Sequence, residues 1–205
     1  MSTYAKAETY AKAETLVGAL AAPLDWTRSV ALVVGFSLLT ALAAQVVVPL
    51  PWTPVPLTGQ TFAVLLTGAL LGSRLGALAM VAYLVEGASG LPFFRSGAGG
   101  AHYLFSSPTA GYLLAFPAAA FVTGYLAERG WDRRLLTAAA AMALGSVLIL
   151  AGGWAWLTLL FRTAGEAFRL GVAPFIVGDL VKIALAAAAL PAGWALLRRT
   201  NSRDS

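Results

Sequence analysis

Most of the chain consists of long runs of leucine, alanine, valine and glycine, separated by short polar segments. Runs of this length favour membrane-spanning helices, and the short alternating strands of a transmembrane barrel do not occur in the sequence. The pattern predicts six spans, which are in chain order Ser29–Val48, Gln60–Leu71, Leu75–Gly90, Thr109–Ala127, Leu135–Phe161 and Phe175–Leu197. We therefore expect an all-α integral membrane protein folded as a six-helix bundle.

The second span is short for a bilayer whose apolar core needs about 20 helical residues. Two explanations fit the sequence. The helix could begin earlier, at Leu57–Gly59, or it could start below the membrane surface after a re-entrant segment. Irregular backbone at that depth is tolerated only where protein or a cavity covers it.

Composition supports the same class, because 59% of the residues are hydrophobic and only 11% are charged, unlike a soluble domain. The chain has no cysteine, which excludes disulfides, thiol catalysis and cysteine metal sites.

Basic residues predict the orientation. One set of loops and tails carries Lys6, Lys12, Arg28, Arg74, Arg129, Arg133, Arg134, Arg198, Arg199 and Arg203. The alternate loops carry only Arg95, Arg162 and Arg169. The positive-inside rule then places both termini in the cytoplasm and the segments 49–59 and 91–108 outside.

This topology divides the chain into three parts. Residues 1–28 form a cytoplasmic tail with a tandem hexapeptide, Tyr4–Thr9 and Tyr10–Thr15. Residues 29–197 form the membrane domain, and residues 198–205 form a second cytoplasmic tail. Two short copies cannot build a repeat architecture, so the hexapeptide is expected to be a solvated or surface-lying tail.

The first candidate for chemistry is the proline-rich segment Val48–Gln60, in which four prolines forbid a helix and fix an extended path. Trp52 offers a stacking face there, and Gln60 offers a bidentate hydrogen-bonding group. A lid or cavity wall and a rigid connector both fit this pattern.

The second candidate runs from Glu86 to His102 and is rich in glycine. Glycines allow close backbone approach, so exposed N–H groups could cradle an anionic group, although the spacing matches no nucleotide-binding motif. Glu86 fits either a binding residue or an interfacial one. Arg95 fits either a ligand contact or a side chain that reaches for lipid headgroups.

The third candidate is an acid and a base, Asp179 and Lys182, within the last apolar run. Ionisable groups inside a membrane are costly and usually mark a ligand site or an ion pair. Residues at i and i+3 share a helix face, so the two side chains are expected to point into one compartment. A structural ion pair and a ligand site remain alternatives.

Small residues recur at close-packing spacing. They are Gly68, Gly72 and Gly76 across spans two and three, and Ala31, Gly35, Ser37 and Ala41 along span one. Tyr112, at the start of span four, supplies a phenol that could face a cavity.

From about Val30 to Leu197 the chain resembles the BioY proteins, the biotin-binding substrate-capture (S) components of energy-coupling-factor (ECF) vitamin transporters. The resemblance rests on the blocks Val48–Gly72, Gly90–Phe94 with the glycine-rich loop, Ser107–Leu113 and Pro174–Lys182. It implies a six-helix S-component fold in a prokaryotic cell membrane, biotin bound near the outer surface, and an energising complex of a coupling transmembrane subunit and two ATPases. No cofactor is expected.

The resemblance also implies binding residues. Asp179 and Lys182 would hold biotin, together with Glu86, and Arg95 would face its carboxylate. The apolar ring of biotin would be packed between Tyr83, Trp52 and Tyr112, and Gln60 would also belong to the binding site. The small-residue face of Ala31, Gly35 and Ala41 is where we expect the coupling subunit to dock.

Two other functional classes agree less well with the sequence. An intramembrane hydrolase lacks support, because position 176 is Ile where an aspartyl motif needs Gly, and the one histidine, His102, lies in an outer loop. A purely structural subunit would leave the acid and base of the last span without a reason. A transporter subunit without catalytic activity is therefore expected.

Overall fold

The computed structural model describes residues 14–21, 24–161 and 163–201. The helices, numbered in chain order, are α1 Leu16–Ala21, α2 Trp26–Ala44, α3 Gln60–Leu71, α4 Ser73–Ala88, α5 Ala101–Ser106, α6 Ala110–Glu128, α7 Leu135–Phe161, α8 Ala164–Gly171 and α9 Ile176–Asn201. Short 3-10 turns cover Arg95–Gly97, Trp131–Arg133 and Ala173–Phe175. Each of the six predicted spans corresponds to one of these helices, namely α2, α3, α4, α6, α7 and α9.

Among the described residues, four helical stretches are long and apolar enough to cross a membrane. They are Trp26–Ala44, Ala110–Glu128, Leu135–Phe161 and the combined stretch Ala164–Arg199. Helix α3 has 12 residues, and a rise of about 1.5 Å per residue makes it shorter than the apolar core of a bilayer. The protein is thus a membrane protein in which the second span is incomplete.

The segment before α3 explains its short length. Strands β1, Val47–Val48, and β2, Leu57–Thr58, pair antiparallel and bracket the prolines. Helix α3 therefore cannot begin at Leu57, and the expectation of an upstream helical extension is wrong. The irregular segment is partly covered by protein: Val55 is buried, and Thr53 Oγ1 donates to the Leu170 carbonyl at 2.6 Å. A start of α3 below the membrane surface stays a prediction.

Helix α6 lies at the centre of the bundle and packs against α3, α4 and α7. Glycines permit this contact. A Cβ on Gly68 would lie 2.3 Å from the Ala120 carbonyl oxygen, and one on Gly124 would lie 2.3 Å from the Gly72 carbonyl carbon. Gly72 itself has φ +87 and joins α3 to α4 at a sharp corner. The small-residue repeat in spans two and three thus serves packing inside this chain.

Helices extend into the segments on both sides of the predicted membrane domain. Helix α1, which lies within the segment 1–28, packs against α3, with Leu16 and Ala19 buried. The hexapeptide, apart from Glu14 and Thr15, lies outside the described residues. At the other end, α9 continues through Arg198 and Arg199 to Asn201, so the helix is longer than the predicted span.

Candidate functional site

A cavity opens where three helices begin, at Gln60 of α3, Thr109 before α6 and Phe175 before α9. Its polar lining residues are Thr58, Gln60, Thr61, Arg95, Thr109, Asp179 and Lys182, and its apolar ones are Val55, Pro56, Tyr112, Leu113, Phe116, Leu150 and Phe175. Helix N-termini carry partial positive charge, so their convergence favours a negatively charged group. Val55 and Pro56 show that the proline-rich segment forms one wall, in agreement with the first of its two interpretations.

Asp179 and Lys182 both face this cavity, as their spacing predicts. Lys182 Nζ lies 3.4 Å from Asp179 Oδ1 and donates to Thr61 Oγ1 of α3 at 2.6 Å. Ser146 Oγ of α7 donates to Asp179 Oδ2 at 2.5 Å. Both the acid and the base are mostly buried. The pair is therefore part of a network across α3, α7 and α9, and it still borders open space.

Arg95 also lines the cavity, although it comes from a loop. Its Nε is buried and has no hydrogen-bond partner among the described residues. A buried guanidinium N–H without a partner costs free energy unless a ligand or water satisfies it. This geometry supports a ligand contact over a side chain that reaches for headgroups.

Three amides of the glycine-rich loop around Arg95 are already used inside the protein. The Gly97 amide donates to Gln45 Oε1 at 2.9 Å, the Ala98 amide to the Arg95 carbonyl at 3.1 Å, and the Gly100 amide to the Gly87 carbonyl at 2.7 Å. These N–H groups are engaged within the protein. The loop instead delivers one side chain, Arg95.

Gln60, Tyr83 and Tyr112 are close together but have different roles. Gln60 lines the cavity, and its Nε2 donates to the Tyr83 hydroxyl at 2.6 Å. Tyr83 is fully buried behind Phe116, whose ring centroid is 6.3 Å from its own, so it supports the wall rather than forming it. The Tyr112 ring lines the cavity while its hydroxyl donates to the Gly171 carbonyl at 2.6 Å.

Two predicted contacts lie away from the cavity lining. Glu86 Oε2 accepts from Ser37 Oγ at 2.5 Å, because its side chain points into the contact between α4 and α2. Trp52 is 62% exposed, because it lies at the tip of the segment that connects β1 to β2. Neither residue lines this cavity, and their contact with a ligand stays a prediction.

The small residues of α2 do not share one face. Ala31 and Gly35 are exposed, and a Cβ on Gly35 would meet no atom within 4 Å. Ala41 is buried, on the same side as the fully buried Ser37 and Ala44. Ala31 and Gly35 are thus available to a partner, whereas Ala41 belongs to the core.

Sequence reasoning missed the other residues that line the cavity, and it also missed three residues that hold its charged side chains in place. Thr61 binds Lys182, Ser146 binds Asp179, and Gln45 holds the loop that carries Arg95. Ser146 had a signal, since it is a lone polar residue near the middle of a long apolar helix. Within the described ranges, no group of three or more histidine, aspartate or glutamate side chains is placed to hold a metal ion.

The chain is similar to known proteins over most of its length. The model of the BioY family matches residues 10–199. The chain belongs to the BioY family. It is 44% identical over 160 residues to a probable biotin transporter BioY of Pyrococcus horikoshii, an alignment that covers 78% of this chain and 91% of that protein. It is 39% identical over 167 residues to the biotin transporter BioY of Rhizobium etli, with 73% and 87% covered.

A solved structure agrees with this assignment at the level of the fold. The crystal structure of an S-component for biotin from an ECF-type ABC transporter superposes with a TM-score of 0.73 and 22% sequence identity. The match covers 84% of this chain and 92% of that one. The predicted S-component fold and BioY membership are confirmed.

Proposed function

We propose that this protein binds biotin with high affinity and takes it up across the cell membrane of a prokaryote, as the substrate-specific subunit of an ECF-type ABC transporter. The observation that carries the proposal is the cavity itself. It is lined by two cations, Arg95 and Lys182, by one anion, Asp179, and by apolar side chains. Its net charge of one positive unit suits a ligand with one carboxylate. The names of the BioY relatives support biotin as that ligand.

The chemical groups of biotin match the polar and apolar residues that line the cavity. Its ureido ring has two N–H donors and one carbonyl acceptor, its thioether ring is apolar, and its valerate chain ends in a carboxylate. In this proposal Asp179 accepts hydrogen bonds from the ureido N–H groups, and Lys182 donates one to the ureido carbonyl. Arg95 pairs with the carboxylate and so satisfies its buried Nε. Tyr112 and Phe116 pack against the apolar ring.

Transport requires partners in this proposal. The sequence contains no Walker motif, so ATP hydrolysis is assigned to two separate ATPases, coupled through a transmembrane subunit. The protein itself is assigned no enzymatic activity and no cofactor. The exposed residues Ala31 and Gly35 of α2 are proposed to contact the coupling subunit, because small residues allow close helix approach.

A thermal-shift panel in detergent tests the ligand. Biotin at submicromolar concentration is expected to raise the melting temperature, while thiamine, riboflavin and folate leave it unchanged. A panel in which another vitamin stabilises the protein and biotin does not would overturn the proposal.

Calorimetry with two ligands tests which groups of biotin Asp179 and Arg95 contact. Asp179→Asn is expected to weaken biotin binding at least about tenfold, because it removes a charged acceptor. Arg95→Gln is expected to weaken biotin strongly but the uncharged biotin amide only slightly. Arg169→Gln changes an exposed arginine that does not line the cavity and serves as the matched control. Equal losses for both ligands in Arg95→Gln would refute its pairing with the carboxylate.

A further inference from the structure

We propose that Ser146 is a positioning residue that sets the ligand selectivity of the cavity, by holding the Asp179 carboxylate as a hydrogen-bond acceptor with one oxygen turned to the ligand. The inference rests on the proposed function, since the probe ligand is biotin. Ser146 does not itself line the cavity, so it acts through Asp179.

The geometry around Asp179 distinguishes its two oxygens. Oδ2 accepts the Ser146 hydroxyl at 2.5 Å, and both residues are buried. Oδ1 lies 3.4 Å from Lys182 Nζ, a distance at the outer limit of a hydrogen bond. The shorter bond of Lys182 goes to Thr61 Oγ1 at 2.6 Å. One carboxylate oxygen is therefore committed to α7, and the other is only weakly engaged at the cavity.

This arrangement selects for a hydrogen-bond donor. The Ser146 hydroxyl donates its one proton to Oδ2, which leaves Oδ1 as the oxygen that can accept from a ligand. A carboxylate oxygen accepts hydrogen bonds, so the weakly engaged Oδ1 attracts an N–H group and repels a carbonyl. Without the Ser146 hydroxyl, the carboxylate would be free to rotate toward Lys182 and to bind it with both oxygens, which would weaken its preference for a ligand N–H.

The test compares biotin with analogues that carry one methyl group on either ureido nitrogen. The wild-type protein is expected to prefer biotin over the analogue whose methylated nitrogen faces Asp179. Two variants of equal shape, Ser146→Thr and Ser146→Val, differ only in the hydroxyl. We expect Ser146→Thr to keep the wild-type preference and Ser146→Val to reduce it about tenfold, which is the effect of one charged hydrogen bond.

The controls separate this inference from a general packing role and from the proposed function. A packing role would weaken biotin and its methylated analogues by the same factor in Ser146→Val, and that result would overturn the inference. In an Asp179→Asn background, Ser146→Val is expected to cause no further change in preference. Thr158→Ala removes a hydroxyl of the same helix that donates to the Trp154 carbonyl, and this variant should behave like the wild type.

The outcomes for biotin itself distinguish the two proposals. If the wild type does not bind biotin, the proposed function fails. If the wild type binds biotin and Ser146→Val keeps the full preference, only the role of Ser146 fails.

Discussion

Gln45 Oε1 accepts a hydrogen bond from the Gly97 amide at 2.9 Å, which ties the end of α2 to the loop that carries Arg95. The same side chain donates through Nε2 to the Phe94 carbonyl at 3.2 Å and to the Ala41 carbonyl at 3.0 Å. Gln45 is the C-cap residue of α2, so one amide group connects a helix end to both sides of the Arg95 turn. The position of Arg95 thus depends on a residue that does not line the cavity.

Replacing Gln45 with Ala is expected to loosen this loop and to weaken biotin binding severalfold, mainly through faster dissociation. The effect is modest because Gln45 is exposed and its bonds compete with water. Hydrogen exchange of the ligand-free protein should become faster in the segment 92–100. Ser89→Ala removes a side-chain bond that reaches only the Glu86 carbonyl, so it is the control. Unchanged hydrogen exchange of this segment in the Gln45→Ala protein would show that Gln45 does not hold the loop in place.

Gly68 provides a test of the close packing between α3 and α6. An Ala at this position would place its Cβ 2.3 Å from the Ala120 carbonyl oxygen, which is backbone and cannot move aside cheaply. Overpacking of this kind costs about 1–3 kcal/mol, so Gly68→Ala should lower the melting temperature in detergent by several degrees. Gly35→Ala is the matched control, because its Cβ would meet nothing within 4 Å and alanine favours a helix. Equal melting temperatures for the two variants would show that α3 and α6 can separate at little cost.

The sequence was sufficient to locate six of the nine described α-helices and the central acid and base, but not the partners of that acid and base. Hydrophobic length alone gives the bounds of α3 and α7, and the i, i+3 spacing gives the common face of Asp179 and Lys182. The partner of Asp179, Ser146, is 33 positions away, and Gly97 is 52 positions from Gln45. Such contacts depend on how the helices rotate and pack, which the pattern of a single chain does not encode.

The same limit applies to Glu86 and Trp52, which do not line the cavity. The direction of Glu86 depends on which helix lies beside α4, and its partner Ser37 is 49 positions away. Trp52 is exposed because the β1 and β2 pairing turns the tip of the proline-rich segment outward. Local sequence indicates that this segment is stiff, whereas its register against β1 sets which side chains reach the cavity.

Asp132 gives the stability of the protein a pH dependence. It lies in the turn between α6 and α7, is almost fully buried, and accepts the indole N–H of Trp194 at 2.5 Å through Oδ2. Its Oδ1 has no partner among the described residues. Burial raises the pKa of Asp132 from 3.8 to about 6, although the Trp194 bond and the nearby Arg133 charge partly offset this rise.

Because the folded-state pKa of Asp132 is above the unfolded value, the folded protein binds this proton more tightly. Protonation of Asp132 therefore stabilises the folded protein; this effect is complete below about pH 4 and is lost as the pH rises through about 6. A shift of this size corresponds to roughly 3 kcal/mol. The melting temperature of the wild type should therefore fall between pH 4.5 and 8, and that of Asp132→Asn should change less. Glu166→Gln changes an exposed carboxylate, so its melting temperature should fall as in the wild type. If the melting temperature of Asp132→Asn falls as steeply as that of the wild type, the buried carboxylate does not cause the pH dependence.

The proposed docking face of α2 can be separated from its core face by three substitutions. Ala31→Phe and Gly35→Phe add bulk on the exposed side, so they should abolish co-purification with the coupling subunit and leave melting temperature and biotin affinity unchanged. Ala41→Phe adds the same bulk beside the buried Ser37 and Ala44, so it should lower the melting temperature of the isolated protein. If Ala31→Phe and Gly35→Phe still assemble with the partner, the coupling subunit uses another surface. If they lose biotin binding together with assembly, this side of α2 supports the fold and is not a docking face.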